Sequence, residues 1–211
     1  MENPVMIFGA NPLGRMAKEI FESNDVVIYG FLDDDKSLHA KELDDAVILG
    51  STDDDGFLKL IGKKCEAFVA VDDNKFRKNI VKMLLEVRHT QPVNATHKQA
   101  QLSARTTIGH GNFFDTGFTS GPGSSIGNHC LLHAKSHLGA ESTIGDFVQV
   151  GAGTIINTSV TVEDEVFIGS GAVIVSGVTL GKGARIGAGS VVIASVGAGE
   201  TVFGNPAVKV K

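Results

Sequence analysis

The chain has 211 residues, of which 42% are hydrophobic and 20% charged, and its formal net charge is −5. This composition is typical of a folded globular protein, and an acidic chain without clustered Lys and Arg is not expected to bind nucleic acid. The amino terminus has no cationic segment followed by a long apolar run, and no apolar run approaches the roughly 20 residues that cross a bilayer. We therefore expect a cytoplasmic protein that does not enter a membrane. Cys65 and Cys130 form no CxxC pair, so neither a disulfide framework nor a zinc site is expected.

Residues 4 to 90 alternate short apolar runs with helical patterns. Strands are predicted in "PVMIFGA", "DVVIYGFLDDD", "VILGS" and "EAFVAV". Helices are predicted from Leu13 to Phe21, in "GFLKLIGKK", and from Phe76 to Val87, where apolar residues fall on one face. This alternation of strands and helices predicts a small parallel sheet with crossover helices, a Rossmann-like α/β domain over residues 1–95.

From residue 102 onward the apolar residues recur every six positions. Fifteen of the sixteen positions from Leu102 to Val192 are apolar, Ser120 is the exception, and Gly follows many of them. A short strand and a turn repeated every six residues predict an all-β triangular solenoid with three repeats in each 18-residue coil. We expect the aliphatic column to point inward, and we assign this solenoid, with the carboxyl-terminal tail, to residues 96–211.

The loop between the first strand and the first helix is a candidate phosphate site, because backbone amides and the helix dipole meet there. Asp33 and Asp34 follow about 20 residues later, where a carboxylate can meet a ribose or a base. The three-glycine fingerprint is incomplete, since Asn11 fills its second place and Pro12 removes an N–H. The alternative is that the glycines serve only turns and packing and the aspartates only a solvated loop. The candidate binding residues are Gly9, Ala10, Asn11, Gly14, Arg15, Asp33 and Asp34.

The whole chain resembles a known family. The repeats, the ending "GNPAVKVK", and the segments "IFGANPLGR", "FLDDD", "AVDDNKFRKNI" and "NATHKQA" in that order are similar to the hexapeptide-repeat acyltransferases. Within them the chain resembles the sugar acetyltransferases typified by sialic acid O-acetyltransferases and the bacillosamine-pathway N-acetyltransferase. The resemblance implies a left-handed parallel β-helix, a homotrimer with sites between subunits, acetyl-CoA as co-substrate, and a nucleotide-linked sugar held by the first domain.

Two positions depart from the chemistry that the resemblance implies. In the subfamily, a His-Glu pair that deprotonates the acceptor lies in a segment resembling His-Glu-x-x-Ile-Gly-Asp-Phe, but here the His is replaced by Ala140 and only Glu141 remains. Gln149 takes the place of a second His. His137 and His133 are the candidate replacements, because a neutral imidazole suits a general base. The other interpretation of these histidines is surface or interface packing, and no metal site is expected.

A further departure lies after the strand "EAFVAV". Asp72 occupies a position where relatives commonly carry Gly or another small residue. A carboxylate facing a pyrophosphate repels it unless a metal, Lys75 or Arg77 compensates.

The resemblance also implies where coenzyme A lies, along the outside of the solenoid between two subunits. Small residues at matching places permit the pantetheine arm to approach, although tight turns require small residues as well. These candidates are Gly151, Gly153, Gly169, Gly171, Ala188 and Gly189.

Two functional hypotheses follow. The first is an acetyl-CoA-dependent acetyltransferase that acts on an amino or hydroxyl group of a nucleotide-linked sugar. The second is a non-catalytic trimeric binding or scaffold homologue that has lost its catalytic His at position 140. The sequence does not name the acceptor, the acyl chain or the pathway.

Overall fold

The computed structural model describes residues 3–210 and divides into two compact units, one ending at Lys98 and the other beginning at Gln99. No helix within the described residues is long and apolar enough to cross a membrane.

The first unit contains the predicted parallel sheet with helices, and a fifth strand at Glu42–Leu43, which was not predicted, extends the sheet at one edge. Across the sheet the strands lie in the order β3 (Glu42–Leu43), β4 (Ala46–Gly50), β2 (Ile28–Leu32), β1 (Val5–Phe8) and β5 (Glu66–Val69). Strand β3 runs antiparallel to β4, and the other three pairs are parallel. The central strand β1 is entirely buried, because its four apolar residues are covered on both faces. The elements are β1 (Val5–Phe8), α1 (Pro12–Ser23), β2 (Ile28–Leu32), β3 (Glu42–Leu43), β4 (Ala46–Gly50), α2 (Asp55–Leu58), β5 (Glu66–Val69), α3 (Asn74–Arg88) and β6 (Ala95–Thr96), with a 3₁₀ turn at Lys36–Leu38.

The helix predicted in "GFLKLIGKK" is much shorter than expected. Helix α2 ends at Leu58, and the carbonyl oxygen of Leu60 then accepts from the amides of Lys63 and Lys64. Gly62 has a φ of +76°, a left-handed conformation that turns the chain and ends helical pairing. The segment therefore forms one turn of helix followed by a loop, although its four apolar residues have helical spacing: Phe57, Leu58, Leu60 and Ile61.

The second unit is a parallel β-solenoid with the predicted 18-residue coil. Each two-residue strand pairs in parallel with the strands 18 residues before and after it, and the strands form three flat faces. The first face carries β7 (Thr107–Ile108), β10 (Ser125–Ile126), β13 (Thr143–Ile144), β16 (Thr161–Val162) and β19 (Thr179–Leu180). The second carries β8 (Phe113–Phe114), β11 (Leu131–Leu132), β14 (Gln149–Val150), β17 (Phe167–Ile168) and β20 (Arg185–Ile186). The third carries β9 (Thr119–Ser120), β12 (His137–Leu138), β15 (Ile155–Ile156), β18 (Val173–Ile174) and β21 (Val191–Val192).

The predicted inward column forms the core of the solenoid. Every member from Phe114 to Val192 is buried. The one polar member, Ser120, lies near the first coil, where its hydroxyl contacts Thr106 Oγ1 at 2.8 Å and accepts from the Ser103 amide at 3.1 Å. Its burial is therefore compensated by hydrogen bonds.

One corner of the solenoid is held by a ladder of side chains that accept backbone amides from the coil before. The His110 amide donates to Asn128 Oδ1 (2.9 Å), the Asn128 amide to Asp146 Oδ1 (2.7 Å), and the Asp146 amide to Asp164 Oδ1 (3.0 Å). Gly127 precedes Asn128 because a Cβ there would overlap Asp146 Oδ1. The Gly-Asn and Gly-Asp pairs of the sequence are thus a structural device of this corner.

The tail closes the last coil. Strand β22 (Thr201–Phe203) pairs in parallel with β20. The chain then turns back, and β23 (Val208–Lys209) pairs antiparallel with β22. The Lys209 ammonium lies 2.7 Å from Glu200 Oε1, and this hydrogen bond, with the Gly197 amide, lowers the pKa of Glu200. The contact is therefore present at neutral pH and is lost as the pH falls and the carboxylate is protonated.

The corner ladder predicts a specific stability effect at Asp146. Asp146→Ala removes the acceptor of both the Asn128 amide and its Nδ2, and we expect unfolding free energy to fall by about 1–3 kcal/mol. Asp146→Asn keeps an acceptor oxygen and is expected to lose less than half as much. Urea unfolding measures both, and equal losses in the two variants would contradict the ladder's role.

Candidate active site

The carboxyl ends of β1 and β2 meet at one edge of the first sheet, and Asp33 connects them. Its Oδ2 accepts from the Ala10 amide at 2.7 Å, and its Oδ1 accepts from the Asp35 amide at 2.9 Å. The carboxylate that sequence analysis assigned to a ligand is therefore already hydrogen-bonded to the loop that follows β1. It holds that loop in place.

Asn11, the substitute for the second glycine of the fingerprint, has two contacts of its own. It caps α1, accepting from the Gly14 amide at 3.0 Å, and its Nδ2 donates to the Ala70 carbonyl oxygen at 2.8 Å. Pro12 occupies the first helical position, where a missing N–H costs little. Gly9 has a φ of +109°, and an added Cβ would overlap the Ala70 carbonyl. The loop is thus tied to the end of β5, and the Ala10 and Gly14 amides donate to protein acceptors.

The two remaining candidates in this region also make protein contacts. Asp34 Oδ1 accepts from the amide and the hydroxyl of Thr52, at 2.9 and 2.8 Å. Arg15 Nε lies 2.6 Å from Asp44 Oδ2, with both side chains more than half exposed. Such an exposed pair contributes little to stability and leaves Arg15 accessible to a ligand.

Arg77, which the sequence suggested as a counter-charge for Asp72, supports the neighbouring loop from inside. It is buried, and its guanidinium donates to the Val71 carbonyl, the Asp72 carbonyl and Asn74 Oδ1. Several aspartates of this edge are helix caps: Asp35, Asp54 and Asp73 accept from the amides of the helices that they begin. Within residues 3–210 no group of three or more His, Cys, Asp or Glu residues could hold a metal ion.

At the other end of the chain, the corner after β12 contains Ala140 and Glu141. The Ala140 carbonyl accepts from the Ser159 amide at 3.0 Å, and the Glu141 amide donates to the Pro122 carbonyl at 3.1 Å. Glu141 has a φ of +58° and an exposed side chain. Gln149 lies at the start of β14 and is half-buried. The coil is intact here, so the departures at 140 and 149 change side-chain chemistry alone.

His137 has a partner that sequence analysis missed. Its strand β12 pairs with β9 so that His137 stands directly over Thr119, and His137 Nδ1 lies 2.7 Å from Thr119 Oγ1. The 18-residue spacing between Thr119 and His137 is the sequence signal that could have predicted this contact. The contact fixes the plane of the imidazole, which is half-buried on the outer side of the third face.

His133 follows Asp115 by 18 residues, so the two residues lie in one column of the solenoid. Asp115 accepts from the Thr116 amide at 2.7 Å and from the Ala134 amide at 3.1 Å. The His133 ring packs against Phe113, with centroids 5.9 Å apart. The Thr116 and Ala134 amides hold the Asp115 carboxylate in this column.

The candidate coenzyme A positions divide into two sets. Gly153 and Gly171 have φ near +70°, Gly189 has +66°, and an added Cβ would meet nothing within 4 Å. Gly151 and Gly169 instead pack against the next coil, where a Cβ would overlap Ser170 and Ala188 backbone atoms. The first set therefore presents an open outer surface, and the second is required for coil stacking.

A thiol nucleophile is not available in the first unit. Cys65 is buried, and this burial, with the charge of Glu66, raises the pKa of its thiol to about 11. The thiol therefore stays protonated and unreactive near neutral pH.

Two family models match the chain. Residues 4–84 match the PglD N-terminal domain, and residues 159–194 match the bacterial transferase hexapeptide (six repeats). A search of curated protein sequences gives no significant match. The first match lies within the first unit and the second within the solenoid.

Solved structures extend this likeness over the whole chain. PerB from Caulobacter crescentus, in complex with CoA and GDP-perosamine, is 22% identical with a TM-score of 0.89, covering 99% of this chain and 97% of its own. The acetyltransferase domain of PglB from Neisseria gonorrhoeae, in complex with acetyl coenzyme A, is 21% identical with a TM-score of 0.89 and full coverage of both chains. WeeI from Acinetobacter baumannii is 26% identical with a TM-score of 0.82, covering 98% and 99%. The predicted fold class, an α/β domain followed by a left-handed β-helix, is confirmed.

The double role of Asn11 predicts graded effects of substitution. Asn11→Ala removes the cap of α1 and the donor to Ala70, and we expect unfolding free energy to fall by about 1–2 kcal/mol or more. Asn11→Ser keeps a capping oxygen and is expected to lie between Ala and the native protein in thermal or urea unfolding. A Ser variant as unstable as the Ala variant would show that the cap contributes nothing.

Proposed function

We propose that this chain, in which a PglD-type N-terminal domain precedes a hexapeptide-repeat solenoid, transfers an acetyl group from acetyl-CoA to an amino group of a nucleotide-linked sugar. The observation that carries the proposal is the likeness of both domains, in order and over nearly the full length, to perosamine N-acetyltransferase from Caulobacter crescentus, whose structure holds CoA and GDP-perosamine. Acetyl-CoA is supplied in the cytoplasm, where we propose that the protein acts.

The outer column of the solenoid supports the role of acetyl-CoA. Gly153, Gly171 and Gly189 stack at one corner, and their outward directions are unobstructed. The amides of Gly171 and Gly189 donate to the carbonyls of the coil before, at 2.8 and 2.9 Å. An extended pantetheine arm would therefore lie against a smooth, small-residue surface, with Ala188 beside it, by van der Waals contact.

The third face of the solenoid supports assembly as a homotrimer. Ile155, Val173 and Val191 follow one another in an outward column on this face, and Ile155 is 43% exposed. Burying such a column against a second copy is favourable by roughly 25 cal/mol for each Å² of apolar surface. In this trimer, the acetyl thioester and the amino group of the sugar meet in the grooves between neighbouring copies.

The first unit supports recognition of the nucleotide. Ligands of open α/β sheets bind outside the carboxyl ends of the strands, where Gly9, Ala10, Asn11, Gly14 and Asp33 form a preorganised edge here. Because the Ala10 and Gly14 amides donate to Asp33 and Asn11, we propose that the nucleotide contacts side chains of this edge, including Asp34 and Arg15.

One observation favours a second candidate, a non-catalytic binding homologue. Ala140 and Gln149 stand where the resemblance implies two histidines, and the coil around them is otherwise intact. In this alternative, the protein binds coenzyme A or a nucleotide sugar without turning either over.

Thiol release from acetyl-CoA distinguishes the two candidates. With a panel of amino sugars linked to nucleotides we expect turnover, and a fall in kcat/KM of at least about tenfold when the same amino sugar lacks its nucleotide, since remote binding energy is lost. The protein's cysteines do not interfere, because both are buried.

The matched variant is Ala140→His, which creates a His beside Glu141. Turnover of acetyl-CoA by the native protein supports the proposed acetyltransferase activity. A native chain that is inactive on every acceptor, while Ala140→His is active, supports the binding homologue and contradicts the proposed activity.

Assembly has its own test. Ile155→Asp places a charge in the apolar column, and we expect it to dissociate the trimer in analytical ultracentrifugation. Thr161→Asp changes an exposed residue of the first face and is expected to leave the trimer intact. A trimeric Ile155→Asp variant would contradict the assignment of the third face as the interface.

A further inference from the structure

We infer that His137, oriented by Thr119, takes the proton of the acceptor in place of a side chain at position 140. The inference rests on the proposed function, since it names the base of that reaction. It concerns a pair of residues on one outer face of the solenoid, one coil apart.

The starting observation is the hydrogen bond between His137 Nδ1 and Thr119 Oγ1 at 2.7 Å. When Nδ1 carries the hydrogen and donates to the hydroxyl oxygen, the lone pair of the imidazole lies on Nε2. The hydroxyl of Thr119 can accept from Nδ1 or donate to it, so the contact orients the ring, and the Nδ1–H tautomer is part of the inference. Thr119 is then a positioning residue, and Nε2 is the nitrogen directed away from it.

The position of His137 in the coil brings it near the altered site. Strand β12 leads directly into the corner that contains Ala140 and Glu141, and three residues separate positions 137 and 140, at most about 10 Å of backbone. His137 also continues the column of Ile155, the residue that we place at the interface between copies. A group at the margin of that interface borders the groove in which we propose that acetyl-CoA lies.

The charges around His137 are few. The strands packed against it, β9 and β15, contribute Thr119, Ser120, Ile155 and Ile156, none of which is charged. On its own coil, Lys135 precedes it by two residues and Glu141 follows by four. Glu141 is thus the carboxylate on this coil that can stabilise the imidazolium formed during the reaction.

The other candidates fit this role less well. His133 packs its ring on Phe113. Glu141 has an exposed carboxylate side chain, and a carboxylate is in general a weaker base than a neutral imidazole. The His137 ring, in contrast, is held by Thr119, and its partial exposure leaves it accessible to a substrate.

The step balances without another reactant. The acceptor nitrogen attacks the carbonyl carbon of the acetyl thioester, so that a C–N bond forms and the C–S bond breaks. His137 Nε2 takes the proton from the nitrogen and passes it to the departing thiolate. The products are the N-acetylated sugar and coenzyme A in its thiol form.

The kinetic test compares His137→Asn with His110→Gln, a substitution of an exposed histidine on another corner. We expect His137→Asn to lower kcat by about 10²–10⁴-fold, the usual contribution of a general base, with KM for acetyl-CoA little changed. The pH dependence of kcat/KM that a histidine base produces is expected in the native protein and in His110→Gln, and it is expected to disappear in His137→Asn.

A second measurement is independent of activity. Nitrogen-15 NMR of the imidazole is expected to show the Nδ1–H tautomer of His137 in the native protein and in Thr119→Ser, and a mixture of tautomers in Thr119→Val. A predominant Nε2–H tautomer in the native protein would overturn the inference, because Nε2 would then have no lone pair to offer.

The outcomes separate the two levels of the proposal. Absence of turnover with every nucleotide-linked amino sugar overturns the proposed function, and the inference with it. Turnover that survives His137→Asn with an unchanged pH profile overturns the inference alone and leaves the acetyltransferase intact.

Discussion

Each residue of the solenoid stands over the residue 18 positions earlier, and this stacking decides what most of its side chains can contact. Backbone amides of one coil donate to carbonyls of the next, as from Gly127 to Ile144 and from Gly145 to Val162. The spacing leaves no room for a Cβ at several corners and gives Asp146 its partner in Asn128. It also places Thr119 under His137. A residue's chemistry in this unit is therefore set by its neighbours in the column as much as by those along the chain.

The first unit uses polar residues in a different way. Its acidic segments look like a ligand-binding edge, yet most of the carboxylates with defined contacts accept backbone amides. Asp33 holds the loop after β1, Asp34 ties the loop after β2 to Thr52, and Asp73 begins α3. Charge-assisted bonds of this kind keep the loops rigid. The carboxyl-terminal edge of the sheet is thus held in place by its own side chains. A ligand that binds there meets a surface on which some backbone amides already donate to protein acceptors.

The sequence predicted the architecture well because hydrophobic periodicity depends only on which residues are buried. The inward column was predicted correctly from Phe114 to Val192, including Ser120 as its one polar member, while Leu102 and Ile108 at its start are only partly buried. Directional contacts were harder to predict. Which backbone amides Asp115 accepts from depends on the turn, and whether "GFLKLIGKK" stays helical depends on the positive φ of Gly62. The pair of His137 and Thr119 could have been found by applying the 18-residue rule to outward positions as well as inward ones.

The proposed acetyltransferase needs a proton acceptor on a coil that has Ala140, and His137 supplies an imidazole with a defined orientation three residues away. The most direct test is a crystal structure of the protein with coenzyme A and an amino-sugar nucleotide. The account predicts His137 Nε2 within about 2.6–3.2 Å of the acceptor nitrogen, directly or through one water. An acceptor nitrogen bound beside another base, with His137 remote from the thioester, would contradict it.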